Sequence, residues 1–226
     1  MEVPWVPYTG STMRFWIFDR QMMAGPWAFA DTIDPTHYGD APRCRACGRF
    51  IGMKPWLPPY RVRLVAGTKT SAPADVITGP GFDGFIASES FVTEFERSGL
   101  SGIARWEPVQ IEGYNDYEGE PIAQAVANRL YKLGILPIPK TRAKLDEMHA
   151  VYEDSVPDCD VCGQGRSLES YEGVVVDETS WTGADVFDLI NIGQIAVTDR
   201  FANFCQAGEF KGIDLIPAAK YALARL

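Results

Sequence analysis

The sequence predicts an α+β protein: a single large domain, residues 1–226, of mixed sheet and helices, built from two diverged strand-strand-helix-strand halves. Three observations carry that expectation. Short apolar runs of strand length recur between Gly- and Pro-rich turns, few segments show helical spacing, and CRACG at Cys44 to Gly48 returns as CDVCG at Cys159 to Gly163. A hydrophobic share of 46% over 226 residues is ample for one packed core.

The first strand is expected at Phe15, Trp16, Ile17 and Phe18, the earliest unbroken apolar run. Residues 1–12 form an extension interrupted by Pro4 and Pro7, and Met13 is an alternative start. The extension has no basic start followed by an apolar stretch, so no signal peptide is read there. No window approaches the roughly 18 consecutive apolar residues of a membrane span, so a cytoplasmic protein with no membrane partner is expected. Downstream, YRVRLVAG and YEGVVVDE read as strands, each following its own cysteine loop.

Residues 74–103, ADVITGPGFDGFIASESFVTEFERSGLSGI, align without a gap over residues 184–213, ADVFDLINIGQIAVTDRFANFCQAGEFKGI. Ala74/Ala184, Asp75/Asp185, Val76/Val186, Phe91/Phe201, Gly102/Gly212 and Ile103/Ile213 are identical. Both copies read as apolar strand, helix, Gly turn and strand. Ser88 and Thr198 are placed to cap the helices, with Glu89 and Asp199 in the first turn where the helix dipole favours negative charge. Phe91 with Phe95, and Phe201 with Phe204 and Cys205, recur at helical spacing and predict the inward faces. Residues 44–111 and 159–218 are thus the expected repeats, with 112–158 linking them; two similar pieces of an ordinary α+β domain are the alternative.

The linking segment opens with EGYNDYEGEP, residues 112–121, followed by a predicted helix over residues 122–133 and the Pro-marked ILPIPK. Its Glu112, Asp116, Glu118 and Glu120 could meet basic groups on a protein partner, and Tyr114 and Tyr117 are residue types favoured at contacts. These six are the candidate partner-binding residues, with a plain solvated loop as the alternative.

In a reducing compartment, Cys44, Cys47, Cys159 and Cys162 read as thiolate ligands. Two residues between cysteines let one tight turn aim both sulfurs at a tetrahedral metal, and the glycine that follows takes the positive φ closing the turn. Two such turns supply a complete four-thiolate shell for one structural Zn2+ per chain, a zinc-ribbon-like staple between distant parts of one domain. Iron, disulfides or no metal are the alternatives. A thioredoxin-like redox site fits less well, because both loops sit among Pro, Arg, Asp and Gly. Cys205, in FANFCQAG, is expected to be a buried apolar residue.

The formal net charge of −9 and a sequence pI near 4.8 argue against nucleic acid, and no Lys/Arg run overrides that balance. Neither His37 nor His149 stands in a nucleophile or metal motif, and no G-x-S-x-G elbow, P-loop or dinucleotide fingerprint occurs. Nothing here proposes an enzyme.

On CRACG, TEFERSGLSGI, PDCDVCG and the closing run DVFDLINIGQIAVTDRFANFCQAGEFKGIDLIPA, the chain resembles the double-CXXCG motif paralogous family, many of whose members are immunity proteins of bacterial toxin systems. The resemblance runs from MRFWIFD to DLIPA and leaves residues 113–156 unmatched. It implies a non-enzymatic antidote that binds and blocks a cognate protein toxin encoded nearby, and it carries over the four cysteines as zinc ligands. A zinc-ribbon regulator or adaptor is the alternative function.

Overall fold

The computed structural model describes residues 15–19, 28–66, 73–77, 84–116, 118–122, 130–152, 157–166 and 168–223. In chain order its elements are β1 (Phe15–Asp19), β2 (Phe29–Thr32), β3 (His37–Tyr38), β4 (Trp56–Leu57), β5 (Tyr60–Ala66), β6 (Val76–Ile77) and β7 (Gly84–Ser88). There follow α1 (Glu89–Ser98), β8 (Arg105–Asp116), β9 (Tyr131–Ile135), β10 (His149–Tyr152), β11 (Leu168–Glu172), β12 (Val186–Leu189) and β13 (Gln194–Thr198). The chain closes with α2 (Asp199–Ala207), β14 (Asp214–Pro217) and β15 (Ala222–Leu223). This is a sheet-rich α+β architecture with two α-helices among the described residues. The N-terminal extension, residues 1–12, lies outside them.

Alternation sets the strands. In β5, Tyr60, Val62, Leu64 and Ala66 are buried while the residues between them are less so, the two-residue period of a pleated strand with one face on a core. A six-stranded sheet has the order β2-β5-β8-β9-β7-β6, with β5 and β8 parallel and the other neighbours antiparallel. A four-stranded antiparallel sheet has the order β12-β13-β1-β14. Its order and directions match the β6-β7-β9-β8 portion of the larger sheet. In each case the strand third in order separates two strands that a helix joins in the chain: β1 lies between β13 and β14, and β9 between β7 and β8.

The two helices share one core between these sheets. Phe91 and Phe95 of α1 and Phe201 of α2 are buried together with Phe18, Phe85, Val186 and Val197. The Phe91 and Phe201 ring centroids are 6.4 Å apart, and Phe204 lies 5.4 Å from Phe91. Each helix starts on its predicted cap: Ser88 Oγ accepts from Phe91 N at 3.3 Å and Thr198 Oγ1 from Phe201 N at 3.5 Å. Cys205 is buried in α2, as its spacing predicts.

Three expectations change. The loop read at residues 112–121 is strand β8 as far as Asp116. The helix over 122–133 does not form at its C-terminal end, because Tyr131, Lys132 and Leu133 belong to β9 and pair with both β7 and β8; residues 123–129 lie outside the described chain. The strand placed on YEGVVVDE ends at Glu172, and Val176 makes only an isolated bridge to Ala143.

Candidate metal centre

Each cysteine turn is built by its own backbone. Cys44 N donates to Arg49 O at 2.8 Å and Gly48 N to Cys44 O at 2.9 Å. The second turn repeats the pattern, Cys159 N to Gln164 O at 2.9 Å and Gly163 N to Cys159 O at 2.7 Å. Both turns need the left-handed backbone that glycine adopts without cost: φ is 74° at Gly48 and 71° at Gly163.

These turns bring together sulfurs 115 positions apart. Cys44 Sγ lies 4.0 Å from Cys159 Sγ, and Cys47 Sγ 3.7 Å from Cys162 Sγ. All four ligand atoms fall within 4.8 Å of one another. A tetrahedral zinc with sulfurs at about 2.3 Å spaces them about 3.8 Å apart, so the four thiols match that shell. Cys44 and Cys162 are buried, Cys159 is half-buried and Cys47 faces solvent. Ile51 and Ile190 pack around them, giving the centre an apolar flank.

Electrostatics fit a cation at this point. The backbone N–H groups of Cys47 and Ala46 point at Cys44 and lower its thiol to about 7, while those of Cys162 and Val161 lower Cys159. Burial pushes Cys162 the other way, to about 12. Favouring a thiolate there takes a positive charge beside it, which a bound divalent metal supplies.

A protein clasp also spans the loops. Arg49 Nη1 donates to Gln164 O at 2.7 Å and Pro157 O at 3.4 Å, and Gln164 Nε2 donates to Ile190 O. Sequence reading missed Arg49 and Gln164, whose only signal is their place immediately after each C-x-x-C-G.

The candidate partner residues among the described ones differ in exposure. Tyr114 is 6% exposed, its ring in the core under the six-stranded sheet. Glu112 forms a two-pronged ion pair with Arg61, whose hydrogen bond holds its carboxyl below the usual range. Asp116 Oδ1 accepts from Glu118 N at 3.0 Å and Glu120 N at 2.9 Å, closing the loop on itself. Glu118 and Glu120 are exposed, and Tyr117 lies outside the described residues. His37 and His149 are exposed on β3 and β10. Among the described residues no helix is long and apolar enough to cross a membrane.

No protein-family model matches the chain, and no curated protein matches it in sequence.

Proposed function

We propose that the four cysteines hold one structural zinc ion per chain, that this centre joins two diverged halves, and that the protein is a non-enzymatic cytoplasmic immunity protein. In this reading it binds and neutralises a protein toxin encoded nearby. The observation that carries the metal assignment is the cluster of four sulfurs, all within 4.8 Å of one another; an ion held by all four would keep no coordination position for water or substrate. Elemental analysis of the purified protein is expected to return one zinc per chain. Substitution of any of the four cysteines by Ser is expected to remove it and lower the melting temperature by roughly 10 °C. A metal-free protein that melts at the same temperature overturns the assignment.

The two-half reading draws support from the matching four-strand orders and from the two cysteine turns with their identical hydrogen bonds. On that reading β1, which precedes the first half, completes the sheet of the second, and β9, from the linking segment, completes the sheet of the first, so zinc is one of several ties.

The immunity reading draws its support from the resemblance, with a closed metal shell and the lack of a recognisable catalytic motif consistent with it. Expression of the neighbouring gene's product in a sensitive host, with and without this protein, tests it: rescue with co-purification is expected, and killing that this protein does not relieve sinks it. One observation favours the zinc-ribbon adaptor instead: no Asp or Glu occurs between Asp40 and Asp75, a stretch that carries seven Lys and Arg residues. Salt-dependent binding of nucleic acid is the result that selects it.

A further inference from the structure

The surface beside the first cysteine loop combines exposed apolar side chains, uncompensated cations and a cavity. Phe50 is 52% exposed and Met53 43%, large apolar groups that a solvated loop has no need to present. Both line a cavity of about 220 Å³ whose other walls include Pro139, Leu189 and Ile190, with Gln164 and Asp188 as its polar members. That volume lies below the roughly 300–1,000 Å³ that encloses a drug-sized molecule and suits one large side chain.

The rim is basic. The Arg43 guanidinium lies 3.9 Å from the Phe50 ring centroid, Lys54 follows Met53, and Lys140 follows Pro139. Arg43, Arg45, Lys54 and Lys140 make no ion pair among the described residues, and all four are exposed. Farther along the same stretch, by contrast, Arg61 is neutralised by Glu112 and Arg63 by Asp31.

A cavity of about 440 Å³ at the second cysteine loop sets the opposite case. There Arg166 pairs with Asp158 and Asp146, Arg142 with Asp177, and Lys144 with Glu147. Apart from Asp160, its charges answer one another, whereas those around Phe50 and Met53 face outward in a protein whose net charge is −9.

We infer that Phe50, Met53, Arg43 and Lys54 form a docking surface for an acidic segment of a protein partner, which seats one large apolar side chain in the cavity and sets its carboxylates against the rim cations. Aromatic, Met and Arg side chains are the types enriched where binding energy concentrates, and an anchor in a pocket with charges around it is the usual arrangement. The inference rests on the reading of this chain as a binding protein and moves the contact surface away from residues 112–120.

Short fluorescein-labelled acidic peptides with one central tryptophan test it on the whole protein, by anisotropy. Saturable binding is expected, weakened about tenfold when alanine replaces the tryptophan or in Met53→Asp, and weakened with a shallower salt dependence in Lys54→Glu. Met53 and Lys54 are exposed, so both variants are expected to keep the parent melting temperature. Failure of every acidic peptide to bind, binding that none of these changes weakens, or preference for a poly(dT) oligonucleotide over the peptides overturns the inference. Because the assay contains no toxin, a negative result leaves growth rescue to decide the immunity reading separately.

Discussion

The blocks 74–103 and 184–213 make the same hydrogen bonds but bury them unequally. Asp75 accepts from Ser88 Oγ at 3.3 Å and from Lys211 N at 3.0 Å; Asp185 accepts from Thr198 Oγ1 at 2.8 Å and from Ser101 N at 3.0 Å. Each carboxylate therefore ties its own helix cap to the Gly turn of the other block. Asp185 is 2% exposed and gains the Ser101 hydroxyl and Arg200, whereas Asp75 is half-buried and has no ion pair among the described residues. The cysteine turns differ in the same manner: one backbone pattern, with Arg43, Arg45 and Arg49 around the first and Asp158 and Asp160 around the second. Residue identity is held where geometry admits one solution and drifts where water or a partner can answer the group instead.

The glycines that close these turns offer the largest effect by which the correspondence can be broken. A Cβ on Gly102, at φ 111°, would sit 1.9 Å from Val186 O, and one on Gly212, at φ 83°, would sit 2.1 Å from Val76 O. Backbone cannot yield there as a flexible side chain would. Gly102→Ala and Gly212→Ala are each expected to cost about 3 kcal/mol or more in urea denaturation. If either is tolerated with a small loss, the two turns are not equivalent.

The carboxylates sharpen the comparison at the next level. Asp185→Asn retains shape but leaves the buried Thr198 hydroxyl and the Ser101 donors competing for one oxygen, at a cost of about 2–3 kcal/mol. Asp75→Asn faces water on one side and is expected to cost about 1 kcal/mol. Equal losses in the same denaturation experiment would mean that burial does not separate the two sites.

What the sequence made legible is local. Ser88 and Thr198 cap within three residues, the phenylalanines of α1 and α2 recur within one turn, and each cysteine turn closes on its own backbone, so short windows contain the interactions that form them. The misread segments are non-local. Ile122, Val126, Leu130 and Leu133 mimic a helical stripe, but Tyr131 to Ile135 satisfies its backbone between β7 and β8, strands that no short window includes. Tyr114 reads as part of a polar loop, yet β8 extends through Asp116 and its alternation turns that ring into the core. The cations before Asp75 never form a run, because Pro, Phe, Met, Trp and Val separate them, and only the fold sets Phe50 and Met53, which some of them flank, at one cavity.

The smallest effect concerns the caps, and it tests whether unequal burial reaches the helices. Both hydroxyls accept from the third backbone N–H and donate onward, Ser88 to Asp75 or Ser90 and Thr198 to Asp185. Ser88→Ala loses a cap whose neighbours can turn to solvent, a cost of about 1 kcal/mol. Thr198→Ala removes a cap of the same kind and also one partner of a carboxylate with almost no access to water, so its cost is expected nearer 2 kcal/mol. Thr198→Ser keeps the hydroxyl and should recover most of that difference. Measured together by thermal and urea unfolding, the three variants separate capping from the buried carboxylate. If Thr198→Ala costs no more than Ser88→Ala, the Asp185 network does not strengthen its helix, and the second block owes its burial to side-chain packing alone.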